Sequence, residues 1–311
     1  MDVTVIRNSS DKDGRPELLC LIGLHACGKS SFALAQTGYH VWSFEEYCKN
    51  APDSVRDDQL LRSMLCREMR RDLKSGNSII YDDSNLPVKR RRGLFSDLGS
   101  VSCRKTAVLF VCPREVCLER NAARPEPVAE ERIDGQMRKF DPPSFIEGWD
   151  EIRIVWHEGR IRDPWLDGFV LDQQNRHHSL PLDEHMRLCA RLSFEQGASS
   201  EACFAASVHD NGKRWTQSFE NREGIRDGQA HYFGHDKYGA YQYLVHANSL
   251  RDILRPADEG FDLYISWLIA NHMRPYAWEV SPSLEKKDEQ AWGERAYRDI
   301  KDLHRADAMA H

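Results

Sequence analysis

Apolar residues in the first half of the chain fall into short runs separated by stretches of helical spacing. Residues 17–23 (ELLCLIG), 78–81 (SIIY) and 106–111 (TAVLFV) are near-continuous apolar runs of a length suited to buried strands, and 39–42 reads as a further strand edge. Between them, residues 30–36, 60–74 and 89–98 carry the helical pattern, the middle one with a strongly basic opposite face. This alternation predicts an α/β domain with a parallel sheet and helices on both faces. Residues 124–143 are rich in Pro, Glu and Arg and are expected to form a mobile lid more than a core element. Between 163 and 181 periodicity lapses, which places a boundary between domains at 1–165 and 166–311. Beyond it the patterns are helical throughout (182–195, 199–209, 237–248, 249–255, 259–273, 284–310), predicting an all-α second domain.

Composition narrows the class. With 41% hydrophobic and 30% charged residues among 311, the chain can bury two cores, which excludes a disordered or fibrous protein. No apolar run approaches the ~20 residues that span a bilayer. The opening MDVTVIRNSSDKDG has no secretory pattern, so no membrane association and a cytoplasmic location are expected. Nine cysteines without a CxxC read as reduced thiols. The net charge of −6 lies entirely in 166–311, which has 17 basic against 23 acidic residues, while 1–165 balances at 26 each. Ten of the 13 histidines also lie in the second part. An acidic, His-rich half would repel phosphate unless something positive sits in it, and a bound divalent metal is the expected candidate.

The candidate chemistry of the first half begins at Gly23-Leu-His-Ala-Cys-Gly28-Lys29-Ser30, which fits G-x-x-x-x-G-K-[ST] between a strand and a helix. Such a loop turns backbone N–H groups onto phosphate oxygens. Gly23, Gly28, Lys29, Ser30 and Ser31 are the expected nucleotide contacts, with Lys29 reaching the β- and γ-phosphates and Ser30 ligating Mg²⁺. ATP or another NTP with Mg²⁺ is therefore the expected cofactor. For the acceptor, Glu45 follows a strand edge where a carboxylate can take a proton from an attacking hydroxyl. Asp82-Asp83 lies at the end of the SIIY run, on the edge that faces the ligand crevice of an open α/β sheet. Arg120 and Arg124, four apart, suit a clamp on transferring phosphoryl charge.

GLHACGKSSFA, FEEY, YDDSNL, LERNAAR and IDGQMRKFDPPSFIEGWDEI together resemble the 5′-hydroxyl polynucleotide kinase branch of P-loop kinases, over about residues 17–155. The resemblance implies Glu45 as general base, Asp83 as the strand-end aspartate beside the substrate, and Arg120 and Arg124 as lid arginines. The family's phosphate-gripping arginine three residues past the base is Cys48 here, followed by Lys49, and its usual Asp base is Glu.

In the second half, His185, His209-Asp210, His231, His235 and Asp307 form a set of imidazoles and carboxylates suited to one or two divalent transition metals (Mn, Ni, Co, Fe or Zn). His231 and His235 share a face if their stretch is helical. The pattern resembles the HD phosphohydrolase superfamily over about residues 170–311, with His185, His209, Asp210 and Asp307 in its H…HD…D positions and Lys213 near the scissile phosphate. A kinase and a phosphohydrolase on one chain make sense if they act on opposite ends of a break. The expectation is a bifunctional enzyme that heals RNA or DNA ends, with a separate ligase as a possible partner. A small-molecule kinase fused to a nucleotidase, and a nucleotide-gated nucleic-acid sensor with an idle half, remain as alternatives.

Overall fold

The computed structural model describes residues 2–8, 14–52, 57–159, 171–175, 179–250 and 258–310. The boundary expected at 165/166, most of the helix expected over 249–255, and His177 and His178 lie outside them. The chain divides into two compact units, one made of 1–133 with 143–159 and the other of 134–142 with 160–311.

The first unit is a six-stranded sheet in the order β1-β6-β5-β2-β4-β3. Its strands are β1 (Asp2–Arg7), β2 (Glu17–Ile22), β3 (Tyr39–Ser43), β4 (Ser78–Asp82), β5 (Arg104–Val111) and β6 (Glu151–Trp156). The apolar runs form β2, β4 and β5 at its centre, where Leu18 to Ile22 have no exposed surface. Five strands run parallel, but the sheet is not wholly parallel, because β1 pairs antiparallel to β6 at one edge. Both these strands alternate apolar and polar residues, and the polar ones are accommodated by pairing. Glu151 is buried yet bonded to Arg7, Arg104 and Arg153.

Helices α1 (Lys29–Ala35), α2 (Phe44–Lys49), α3 (Asp58–Lys74), α4 (Val88–Leu98) and α5 (Arg114–Ala122) connect the strands. Asp57 caps α3 through the Leu60 N–H, and Leu61, Leu65, Met69 and Leu73 form its buried face at helical spacing. Truncating the fully buried Met69 to Ala is expected to cost about 2–5 kcal/mol.

The segment expected to be a lid contains helix α6 (Glu130–Met137), and Ile133, Met137 and Phe140 are fully buried. Its 134–142 portion is core of the second unit: the Phe140 ring meets Tyr241 edge-on at 5.1 Å, and Arg138 donates to the Phe233 carbonyl. Three apolar side chains at helical spacing outweigh the prolines and charges around them. A mobile lid is therefore not what residues 134–142 form.

The second unit is helical among the described residues, apart from an isolated bridge between Ser218 and His231. It comprises α7 (Leu182–Glu195), α8 (Ser200–Ala206), α9 (Lys213–Thr216), α10 (His235–Leu250), α11 (Phe261–Asn271), α12 (Arg274–Val280) and α13 (Pro282–Met309), the last kinked at Gly293. Residues from Tyr238 to Val245 of α10 are buried on all sides, which makes it the central helix. The loop before α9 approaches it so closely that a Cβ on Gly212 would collide with the His235 carbonyl oxygen and lie 2.7 Å from the Gly239 nitrogen. That contact brings His209 and Asp210 up against the start of α10.

Candidate active sites

The loop between β2 and α1 has the backbone its motif requires. Gly28 adopts φ 107°, where a side chain would be strained, and Ala26 is also left-handed at 59°. Lys29 Nζ donates to the Gly23 and Leu24 carbonyls at 3.1 and 2.6 Å. Ser30 Oγ donates to Asp82 Oδ2 at 2.7 Å, which joins the loop's hydroxyl to the end of β4. Sequence reasoning singled out Asp83; the serine's partner is Asp82, and the DD pair alone could not say which side chain turns toward the loop. Ser31 is exposed on α1.

Arg120 lies in α5, where its Nη1 approaches the Cys27 carbonyl (3.5 Å) and the Cys112 sulfur (3.8 Å). Arg124 lies beyond the end of α5, 3.7 Å from Glu45. Glu45 begins α2 half-exposed, and the hydrogen bond from Lys49 leads in holding its carboxyl below the ordinary 4.5. His25, within the loop, drops to about 4 through burial and then the charges of Lys29, Arg132 and Arg124, so it is neutral at pH 7. His25 and Arg132 were not foreseen: neither belongs to the loop's consensus. Asp83 pairs with Arg62 Nη1 at 2.5 Å and lies 3.7 Å from Arg90 Nη1.

In the helical unit, side chains from five separate segments converge. His185 Nε2 lies 3.1 Å from Asp307 Oδ1 and 3.6 Å from Asp210 Oδ2, and His209 Nε2 lies 3.4 and 3.6 Å from the same two atoms. The other oxygen of Asp210, Oδ1, faces His235 Nε2 at 3.1 Å and His272 Nε2 at 3.5 Å. The donor atoms of each group, His185/His209/Asp210/Asp307 and Asp210/His235/His272, lie within 4.8 Å of one another and could hold a metal ion. Asp210 belongs to both.

The hydrogen bonding behind the cluster decides its chemistry. Each of the four imidazoles directs Nδ1 at a backbone carbonyl: His185 at Ala310, His209 at Ala206, His235 at Tyr232 and His272 at Ile269, at 2.7–2.9 Å. A carbonyl only accepts, so Nδ1 carries the proton and each neutral ring offers the Nε2 lone pair inward. Those lone pairs meet carboxylate oxygens, an arrangement that repels itself without a cation. His209 Nε2 and Asp307 Oδ1 are buried with no hydrogen-bond partner. Although burial opposes its protonation, Asp210 and Asp307 raise His209 to about 9. Asp307 and Asp210 are themselves held far below the carboxylate range, against their burial, chiefly by His185 and His209 for the first and by Lys213 and His209 for the second. The donor set fits divalent transition metal.

Lys213 Nζ is 2.5 Å from Asp210 Oδ2 and 2.8 Å from Gln173 Oε1. Tyr276 donates to Asp307 Oδ2 at 3.3 Å. Of the residues singled out in the sequence, His231 is not brought to the cluster: its stretch is a bridge rather than a helix, and its Nε2 pairs with Asp227 at 3.0 Å. His272 takes its place. Nothing around it in ANHMRP distinguishes it from an ordinary core histidine.

The strand, glycine loop, helix and strand-end aspartate define a nucleotide-binding α/β domain of the P-loop kinase type, followed by a largely helical region. In keeping with this, a family model described as an AAA domain matches residues 18–143. An L-seryl-tRNA(Sec) kinase from Methanococcus maripaludis is 26% identical over 155 residues, covering 43% of this chain and 56% of the relative. The chain thus spans little more than half the length of that curated relative. Among solved structures, a gluconokinase from Sinorhizobium meliloti aligns at 17% identity over 46% of this chain and 83% of its own, with a TM-score of 0.34. The Pnkp1/Rnl/Hen1 RNA repair complex aligns at 17% identity over 53% and 55%, with a TM-score of 0.36. No helix among the described residues is long and apolar enough to cross a membrane.

Proposed function

We propose that the chain is a bifunctional nucleic-acid end-healing enzyme, with RNA as the favoured substrate. Its first domain transfers the γ-phosphate of an NTP to a 5′-hydroxyl, and its second, of HD type, removes a 2′,3′-cyclic or 3′-phosphate. The observation that carries the reading is the inward Nε2 array around Asp210, on the same chain as a phosphate loop whose serine meets a strand-end aspartate.

In the kinase half, Lys29 would exchange its carbonyl partners for the β- and γ-phosphates, and Ser30 with Asp82 would hold Mg²⁺. Glu45, ionised at neutral pH, accepts the acceptor's proton, while Arg120 and Arg124 bear on the transferred charge. In the other half, bound divalent metal supplies Lewis acidity and lowers the pKa of a water. His185, His209, Asp210 and Asp307 would hold one ion, and Asp210, His235 and His272 would hold a second. Asp210 belongs to both donor groups, and Lys213, paired with Asp210, would offer its ammonium to the substrate phosphate. The nucleic-acid acceptor is supported by the sequence resemblance over residues 17–155, and a curated relative is named for a tRNA-borne acceptor.

Cys48 and the Glu45–Lys49 ion pair favour a second reading, a small-molecule kinase fused to a nucleotidase. The test is RNA bearing 5′-OH and 2′,3′-cyclic phosphate ends, incubated with ATP and Mn²⁺, with both termini analysed. Conversion to 5′-phosphate and 3′-hydroxyl supports the proposal. Phosphorylation of free nucleosides with the RNA ends untouched would replace it with the second reading.

A further inference from the structure

We infer that Gln173 is a positioning residue of the helical unit: it tethers the Lys213 ammonium at the edge of the ligand cluster, so that its charge stays in place for a substrate phosphate when a cation occupies Asp210. The inference rests on the hydrolase half of the function proposed above. Lys213 Nζ donates to Asp210 Oδ2 at 2.5 Å and to Gln173 Oε1 at 2.8 Å, and all three residues are buried. The Asp210 oxygen is shared, because Oδ2 also faces His185 and His209 Nε2 at 3.6 Å each. A cation in that donor group competes with the ammonium for Oδ2 and repels it. A lysine has a long, flexible stem, and one shared ion pair does not fix where its charge sits. The second tie, to Gln173, involves no residue of either donor group.

The amide is itself held in one orientation. Gln173 Nε2 donates to the Leu180 carbonyl at 3.0 Å, and a carbonyl only accepts, so Oε1 is the atom turned to Lys213. The Gln173 backbone carbonyl accepts from Tyr232 Oη at 2.7 Å, and the Tyr232 ring lies 5.5 Å from Lys213 Nζ. On either side, the Leu171 carbonyl accepts from the Leu182 N–H and the Gln174 carbonyl from the Ala230 N–H. Leu171, Leu182, Met186, Ala230 and Tyr232 pack together as a buried apolar cluster. Residues 171–175, which form neither helix nor strand, are thus pinned at three successive points, and the middle one delivers a neutral acceptor to the ammonium.

That neutrality is the informative feature. A carboxylate would bond a buried ammonium more strongly than an amide does. Together with Asp210, however, it would set two negative charges against one positive, leaving nothing to attract a phosphate. The amide holds the ammonium without cancelling its charge.

The test uses the full chain loaded with Mn²⁺ and reads bound metal, the Kd of inorganic phosphate by calorimetry, and kcat and KM for an aryl phosphate. Gln173→Leu is expected to weaken phosphate binding about tenfold and to raise KM by a similar factor, with bound metal unchanged. Gln173→Glu keeps the size of the side chain and an acceptor for Lys213, so a purely structural role makes it the milder variant; the tether predicts at least as large a loss of phosphate binding. In a Lys213→Met background Gln173→Leu should add nothing, because its effect passes through the ammonium. Equal losses from Gln173→Leu with and without Lys213, or loss of Mn²⁺ in both Gln173 variants, overturn the inference while leaving the hydrolase reading intact. Should Gln173→Leu not fold, a phosphate Kd unchanged in Gln173→Glu overturns it just as well. Wild type that holds Mn²⁺ yet neither binds phosphate nor hydrolyses the ester overturns the hydrolase reading itself.

Discussion

The two candidate sites are built in opposite ways. The loop site is open and local: Gly23 to Ser30 are contiguous, and Glu45 and Arg124 are partly exposed. The helical site is closed and assembled from afar: His185, His209, Asp210, His235, His272 and Asp307 are all buried and come from segments spread over more than a hundred residues. Partly exposed charged groups are tolerable in water without a ligand. A buried knot of carboxylates facing imidazole lone pairs is tolerable only when cations or protons balance it. The first site should thus lose function without losing its fold when a charge is removed, whereas the second couples occupancy to local stability.

The sharpest way to break this contrast is to silence each half separately. Lys29→Ala should lower phosphoryl transfer by about 10³-fold or more while hydrolysis of an aryl phosphate continues. Asp210→Asn should do the reverse, and metal analysis should show both ions diminished, since both coordination groups use that carboxylate. Loss of both activities in a folded Lys29→Ala or Asp210→Asn protein would deny two independent sites. Next in size, His272→Ala should remove one of two metal equivalents and cut hydrolysis about 10–100-fold, with His231→Ala changing neither.

A smaller effect sharpens the picture of the open site. The Glu45 carboxyl is held below its ordinary 4.5, so its base form persists as pH falls and is lost only below that value. The kinase rate should therefore show no acid limb from Glu45 between pH 7 and about 5. Lys49→Met removes the leading cause, so the limb should move upward in pH. A wild-type limb above pH 6 that follows Glu45→Gln would contradict the ion pair's role. Smallest of all, Tyr276→Phe removes one hydrogen bond to Asp307 and should weaken metal retention several-fold without unfolding the chain, as read by chelator competition.

How much could be read in advance follows the same division. The loop, β2, β4, β5 and the helices between them are legible because their signals are contiguous in the sequence. β1 and β6 were not, since a strand such as EIRIVW carries charges that only a tertiary partner explains; Glu151 is buried because three arginines meet it. Proline and charge likewise obscured the packing of Ile133, Met137 and Phe140. Spacing also misled at His231, which stands four residues before His235 in a stretch that never becomes helical. His272 was invisible because a ligand is defined by what it meets: its ring comes within 3.2 Å of His235 only once α10 and α11 pack.

The most direct measurement is anomalous diffraction from crystals of the protein loaded with Mn²⁺. Two peaks about 3.5–4 Å apart, one on each side of the Asp210 carboxylate, are predicted. No peak there, or a single one away from the shared carboxylate, would contradict the account.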